Sequence, residues 1–181
     1  AALAPLRRSL GVRTIFNLLG PLVNPLTPDA QVLGVADRNL LMPMAGALKI
    51  LGLQRAVVVY GHGGLDEASL SGPSELVILE NGELRAELLD PSSLGLGIAP
   101  LEALAGGDLS TNKQILQEVL QGAGSQAQRE VVALNSALVL WCSGSVPHWC
   151  DGLEFALSSL SKGAPWQCLI DLRNALNPVE G

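Results

Sequence analysis

A single spacing limits what this chain can fold into. A short β-rich run at residues 31–36 is followed by a helical pattern over 38–52 and then by a second strand at 55–60, whose centre is the unbroken apolar run Val57-Val58-Val59. An apolar run without alternation suits a strand covered on both faces. A strand, helix, strand crossover runs right-handed almost always and leaves its two strands parallel. The loop that follows, residues 61–73, therefore emerges at the carboxyl edge of the sheet, where open α/β folds bind ligands. Asp37 stands where the intervening helix needs an N-cap, and Leu41, Met44, Leu48 and Leu51 recur at helical spacing.

Beyond that loop, Asn81-Gly82 between the runs 75–80 and 83–89 predicts a hairpin with a two-residue turn, an antiparallel appendage to the sheet. Residues 90–107 are rich in Gly, Pro and Ser and read as a surface connection. Helical patterns cover 111–121, 126–142, 152–161 and 165–176, with Pro165 suited to a first helical position. Residues 1–25 read as two short helical pieces around Gly11, with Leu6, Leu10, Ile15, Leu18 and Leu19 as apolar positions, closed by Gly20-Pro21 and Asn24-Pro25. The expected architecture is α/β: a mainly parallel sheet with flanking helices and a hairpin, plus an N-terminal helical segment. The division falls at residues 1–27 and 28–181.

The 181 residues suffice for one sizeable core, and 48% of them are hydrophobic against 15% charged. Such apolarity suits a doubly covered sheet, or a lobe whose surface faces another part of a larger protein. No apolar stretch reaches the roughly 18 residues a membrane helix needs, so no membrane partner is expected. Neither an initiator Met nor a secretory leader is visible at Ala1, which reads as a cut end. Three Cys at 142, 150 and 168 without C-x-x-C spacing suit reduced packing residues in a cytoplasmic protein. The net charge of −6, with basic residues scattered apart from Arg7, Arg8 and Arg13, lacks the basic stripe of a nucleic-acid binder.

The loop Tyr60-Gly61-His62-Gly63-Gly64-Leu65-Asp66-Glu67 carries the chemistry. Its glycines allow a sharp turn and close approach of the backbone to a ligand. Asp66 and Glu67 offer adjacent hard oxygens of the kind Mg²⁺ takes together with water and substrate phosphates. The same pair also reads as a solvated acidic turn with a helix-capping Asp. In the second informative stretch, residues 6–25, any of the three arginines could hold a small carboxylic acid through two parallel hydrogen bonds, or could face solvent at a helix end. His62 reads as a loop histidine satisfied by backbone, Asn135 as a buried, hydrogen-bonded core residue, and Trp141, Trp149 and Trp166 as fillers of core or interface space.

Together the stretches Arg13-Thr14-Ile15-Phe16-Asn17-Leu18-Leu19-Gly20-Pro21-Leu22-Val23-Asn24-Pro25 and Gly64-Leu65-Asp66-Glu67 resemble the anthranilate phosphoribosyltransferase family. Ser71-Gly72-Pro73, Gly106-Gly107-Asp108 with Asn112, and Leu134-Asn135-Ser136-Ala137 extend the resemblance, which covers about residues 3–143. It implies transfer of a 5-phosphoribosyl group from its pyrophosphate to the amine of anthranilate, the second step from chorismate to tryptophan. It further implies that Arg7 holds the anthranilate carboxylate, that Gly20 and Pro21 line the aromatic pocket, and that Asp66 and Glu67 bind Mg²⁺ on the donor pyrophosphate. Arg13 and Asn17 match the family pattern and read as structural. Absent from these residues are the family's Gly-Thr-Gly-Gly-Asp and Lys-His-Gly-Asn segments, its upstream His, and the amino-terminal helices through which family members dimerise. The N-terminal segment then belongs to a mostly missing helical lobe, and the 181 residues alone are expected to be inactive. No general base is named. A pyrimidine nucleoside phosphorylase and a non-catalytic nucleic-acid-binding relative are the alternatives.

Overall fold

In a computed structural model, residues 20–176 are described. They form a four-stranded sheet in the order β1 (Ala30–Gly34), β2 (Arg55–Tyr60), β3 (Ser74–Glu80), β4 (Glu83–Leu89). β1 and β2 are parallel, joined by a 3-10 turn at Arg38–Leu40 that runs into helix α1 (Leu41–Ile50). Asp37 caps this turn by accepting a hydrogen bond from the Asn39 N–H. Helices α2 (Leu109–Leu120), α3 (Gln126–Cys142), α4 (Trp149–Ser161) and α5 (Ala164–Leu176) complete the fold.

The unbroken apolar run of β2 is explained by what lies on each side. Val57 and Val59 face one core with Leu76, Ile78, Leu134 and Leu138. Ala56 and Val58 face the other with Leu41, Leu48, Val77 and Leu79. Both faces are covered, α1 contributing to one and α3 to the other, so the period-two alternation of a half-solvated strand has no reason to appear. α4 packs on α3 through Gly152, where a β-carbon would stand 3.1 Å from Ala137.

The α/β class, the flanking helices and the hairpin are as expected, but the sheet is mixed rather than mainly parallel. Only β1–β2 pairs in parallel; β2–β3 and β3–β4 are antiparallel. The physical reason lies in residues 61–73, which contain no helix, and a parallel return needs a long crossover, usually helical. At the hairpin tip Asn81 and Gly82 have φ of 53° and 76°, the left-handed pair required by a turn whose twist matches the strands.

The segment 90–107 is mostly exposed, as expected of a surface connection, but it is not without structure. It holds 3-10 turns at Pro91–Leu94 and Leu101–Leu104, and Pro91, Leu96 and Ala99 are buried. α2 begins two residues earlier than the apolar pattern suggests because Asp108 caps it, accepting from the Thr111 N–H at 2.8 Å. α4 likewise begins three residues earlier, at Trp149, where the His148 ring accepts from the Cys150 N–H.

All three thiols are free, but only Cys142 is buried; Cys150 and Cys168 are exposed and are not packing residues. Burial pushes the Cys142 thiol above its usual range, which keeps it protonated and unreactive. Its neighbour Arg55 lies 4.7 Å over the Trp141 ring and pairs with Glu80 at 3.0 Å. Trp141 and Trp149 meet edge to face at 5.7 Å. No described helix is long and apolar enough to cross a membrane.

Candidate functional site

β2 delivers the chain to Gly61 at the carboxyl edge of the sheet. There the backbone reverses within five residues: the Gly61 N–H donates to the Leu65 carbonyl at 2.8 Å and the Gly64 N–H to the Gly61 carbonyl at 3.0 Å. Gly63 and Gly64 have φ of 83° and 85°, which a side chain would resist. The reversal sends Asp66 and Glu67 back across the ends of the two parallel strands. A β-carbon on Gly34, at the end of β1, would overlap the Asp66 carbonyl oxygen, and one on Gly61 would overlap the Glu67 carbonyl oxygen. Of these glycines, Gly61 and Gly34 make room for the acidic dipeptide's own backbone, not for a ligand as the sequence suggests for Gly61.

Immediately after the pair the chain enters the core, with Ala68, Ser69 and Leu70 fully buried. Asn135, projecting from α3, meets Ala68 there. Its Oδ1 accepts from the Ala68 N–H at 2.9 Å, while its Nδ2 donates to the Ala68 carbonyl at 2.9 Å and to the Val131 carbonyl at 3.0 Å. Ser69 extends the anchorage: its N–H donates to Ser74 Oγ, and its own Oγ accepts from the Ser71 N–H. Both Ser69 and Ser74 are fully buried, and each has its partner within this loop.

The side chains of Asp66 and Glu67 behave differently from their backbone. Both residues are exposed, and neither carboxylate makes a hydrogen bond or ion pair among the described residues. Two neighbouring hard-oxygen groups with all their lone pairs available, on a backbone fixed from below, fit the coordination habit of Mg²⁺, which keeps several waters and phosphate oxygens around one or two carboxylates. No group of three or more metal-ligating side chains occurs among the described residues, which at this loop offer a metal only the Asp66-Glu67 pair. Asp66 does not cap a helix, since none begins in this loop.

The other sequence-predicted positions fall elsewhere. Arg7 lies outside the described residues, as do Arg13 and Asn17. Gly20 and Pro21 form a 3-10 turn with Leu22; Pro21 accepts from Gln31 Nε2 at 3.1 Å, and no atom of the described residues lies within 4 Å of where a β-carbon on Gly20 would stand. No hydrogen bond joins this turn to the acidic loop among the described residues. The His62 ring rests against Gly72 without a hydrogen bond among the described residues, so it is not the backbone-satisfied histidine expected. Asn112 braces the Gly106-Gly107 turn by accepting from the Gly107 N–H and donating to its carbonyl. A cavity of about 590 Å³ touches Glu67 and Asn135 but is otherwise walled largely by Val131, Val139, Leu140 and Phe155. Apolar walls of that kind do not suit an anion.

Residues 1–165 match the glycosyl transferase family, a/b domain, and the chain belongs to that family. Among its relatives is the anthranilate phosphoribosyltransferase of Synechococcus sp. (strain RCC307), 64% identical over 180 residues, which are 99% of this chain and 52% of that protein. The anthranilate phosphoribosyltransferase of Prochlorococcus marinus (strain MIT 9313) is 63% identical over 175 residues, 97% of this chain and 50% of that protein. In three dimensions the chain resembles the crystal structure of anthranilate phosphoribosyltransferase (TrpD) from Thermus thermophilus, with a TM-score of 0.86 and 40% identity over 93% of this chain and 50% of that one. It also resembles the Saccharomyces cerevisiae enzyme in complex with PRPP and Mg, with a TM-score of 0.81 and 30% identity over 92% of this chain and 48% of that one. The chain thus spans about half the length of the curated relatives it matches.

Proposed function

We propose that this chain is part of an enzyme that transfers the 5-phosphoribosyl group of phosphoribosyl pyrophosphate to the amine of anthranilate, giving N-(5-phosphoribosyl)anthranilate and pyrophosphate on the way to tryptophan. The observation that carries the reading is the exposed Asp66-Glu67 pair, fixed across the carboxyl ends of β1 and β2 with neither carboxylate partnered among the described residues. In the yeast relative of like fold, PRPP and Mg are bound together, which supports the same pairing here.

In this reading Asp66 and Glu67 hold the Mg²⁺ that accompanies the donor. Bound Mg²⁺ supplies charge neutralisation on the departing pyrophosphate. Arg7 holds the anthranilate carboxylate through a charge-assisted contact, and Gly20 and Pro21 line the ring. Residues 1–27 belong to a helical lobe and 28–181 to the α/β lobe, with dimerisation through amino-terminal helices and a cytoplasmic location suited to three free thiols. Neither a phosphorylase activity nor nucleic-acid binding gains support, given the names of the relatives and the net charge of −6.

The test is a fluorescence assay of anthranilate consumption with phosphoribosyl pyrophosphate and Mg²⁺. The 181 residues alone should show no transfer, because carboxylates repel pyrophosphate unless a cation lies between them, and no described glycine-rich turn pairs with a basic group to cradle phosphates. Supplying the amino-terminal half of a relative should restore it. No transfer after completion would count against the reading, while turnover by the isolated chain would overturn only the division of labour between the two halves.

A second expected result concerns the acceptor. In the completed enzyme Arg7→Ala should raise the KM for anthranilate at least tenfold while moving that for the donor little, since a charge-assisted hydrogen bond contributes roughly 1.5–3 kcal/mol. Steady-state kinetics with each substrate varied separate the two, and equal changes would remove Arg7 from the acceptor site.

A further inference from the structure

We propose that Asn135 is a positioning residue for the acidic pair: together with Gly34 and Gly61 it sets the backbone of Asp66 and Glu67 so that both carboxylates stand on the metal-facing side of the loop. The inference rests on the reading of that pair as Mg²⁺ ligands.

The dipeptide is defined on two sides. Below it, the absence of side chains at Gly34 and Gly61 creates a notch at the ends of adjacent parallel strands, into which the Asp66 and Glu67 carbonyls fit. Beyond it, the next residue, Ala68, is fully buried and has both its N–H and its carbonyl engaged by the single amide of Asn135. With the carbonyls of two consecutive residues seated and the third residue pinned at both its polar atoms, the α-carbons of Asp66 and Glu67 have little freedom to rotate their side chains away.

The chemistry selects asparagine. A carboxamide presents one acceptor and two donors in one plane, so it can answer a peptide N–H and C=O from two separate atoms and still donate once more. The third contact removes the ambiguity of which end is which: Nδ2 must donate to the Val131 carbonyl, one turn back on α3, which leaves Oδ1 for the Ala68 N–H. Aspartate could accept but not donate, and serine has one O–H to donate where Asn135 donates twice. Partners that orient metal ligands from behind typically change metal affinity about 10–100-fold when removed.

Mn²⁺ serves as the probe, its binding followed by electron paramagnetic resonance in the presence of pyrophosphate. Asn135→Ala should weaken Mn²⁺ binding about tenfold and, in the completed enzyme, raise the Mg²⁺ concentration for half-maximal turnover by a similar factor with the anthranilate KM unchanged. A variant that melts earlier yet binds Mn²⁺ as tightly as the parent would reduce Asn135 to a packing residue. Asp66→Asn with Glu67→Gln is the control: if that pair binds Mn²⁺ like the parent, the metal reading itself has failed, whereas if only the control loses binding, the positioning role alone is overturned. Hydrogen exchange of the unsubstituted protein is independent of any variant's folding. The Ala68 amide should exchange as slowly as the amides of β2, and exchange at the rate of an exposed loop would overturn the clamp.

Discussion

Replacing Asp66 with Asn and Glu67 with Gln together should lower Mg²⁺-dependent turnover of the completed enzyme by at least about 100-fold while leaving the melting temperature nearly unchanged. The size follows from what the pair does. Mg²⁺ offsets charge that develops on the leaving pyrophosphate, an effect worth several kcal/mol, and each 1.4 kcal/mol is about tenfold in rate. The neutral amides keep the shape and exposure of the acids but bind a hard dication poorly. Stability should be spared because neither carboxylate is committed to another described group. The measurement is kcat against Mg²⁺ concentration beside a thermal melt. A normal titration in a folded double variant would mean that the loop is only a solvated turn; a collapsed melting temperature would mean that the carboxylates hold the fold.

The second large effect comes from adding one methyl group. Gly34→Ala places a carbon on the Asp66 carbonyl oxygen, a backbone atom that cannot swing aside as a side-chain tip can. Either β1 or the acidic loop must move, and overpacking of this kind costs about 1–3 kcal/mol or more. For a chain of this size that is a fall of roughly 2–4 °C per kcal/mol. Turnover should fall with it, since the displaced atoms belong to Asp66. The same chemical change at Gly46, in the interior of α1, should do the opposite: its α-carbon has no neighbour within 4 Å in the direction of a β-carbon, and alanine in a helix is favoured over glycine by about 0.5–1 kcal/mol. Thermal melts of the two single variants, one falling and one rising, check the assignment. A Gly34→Ala protein as stable as its parent would show that the notch is loose.

The parts of the fold that are legible in the sequence are those written in local pattern. Val57-Val58-Val59 announces a doubly covered strand, Asn81-Gly82 announces its hairpin, and the bounds of α3 can be read to the residue. Strand direction is misjudged because neighbours are chosen by tertiary packing, although the lack of any helical pattern in residues 61–73 is a usable sign. Helix starts are placed late where the caps, Asp108 and His148, lie outside the apolar period.

The candidate site divides in the same way. Asp66 and Glu67 can be singled out because adjacent carboxylates after a glycine-rich turn are a local arrangement. Gly34 offers a weaker signal, since a glycine near the end of an apolar strand often marks a close backbone approach. Asn135 cannot be assigned its partner from sequence: its hydrogen-bonding need is evident from its place in an apolar helix, but Ala68 lies 67 residues away and advertises nothing.

β4 forms one border of the sheet, hydrogen-bonded to β3 on one side only. A bare strand border is a template on which another chain can add itself, and many sheets grow into aggregates by that route. Along this border Glu83, Arg85 and Glu87 alternate with Leu84, Ala86 and the exposed Leu88, and Arg85 is already paired with Glu80 and Glu87. An incoming strand would have to strip water from these charges and displace an existing ion pair as it formed its backbone bonds. The charges therefore oppose fibril-like stacking along most of this border, while Leu88 leaves one apolar position open near its end.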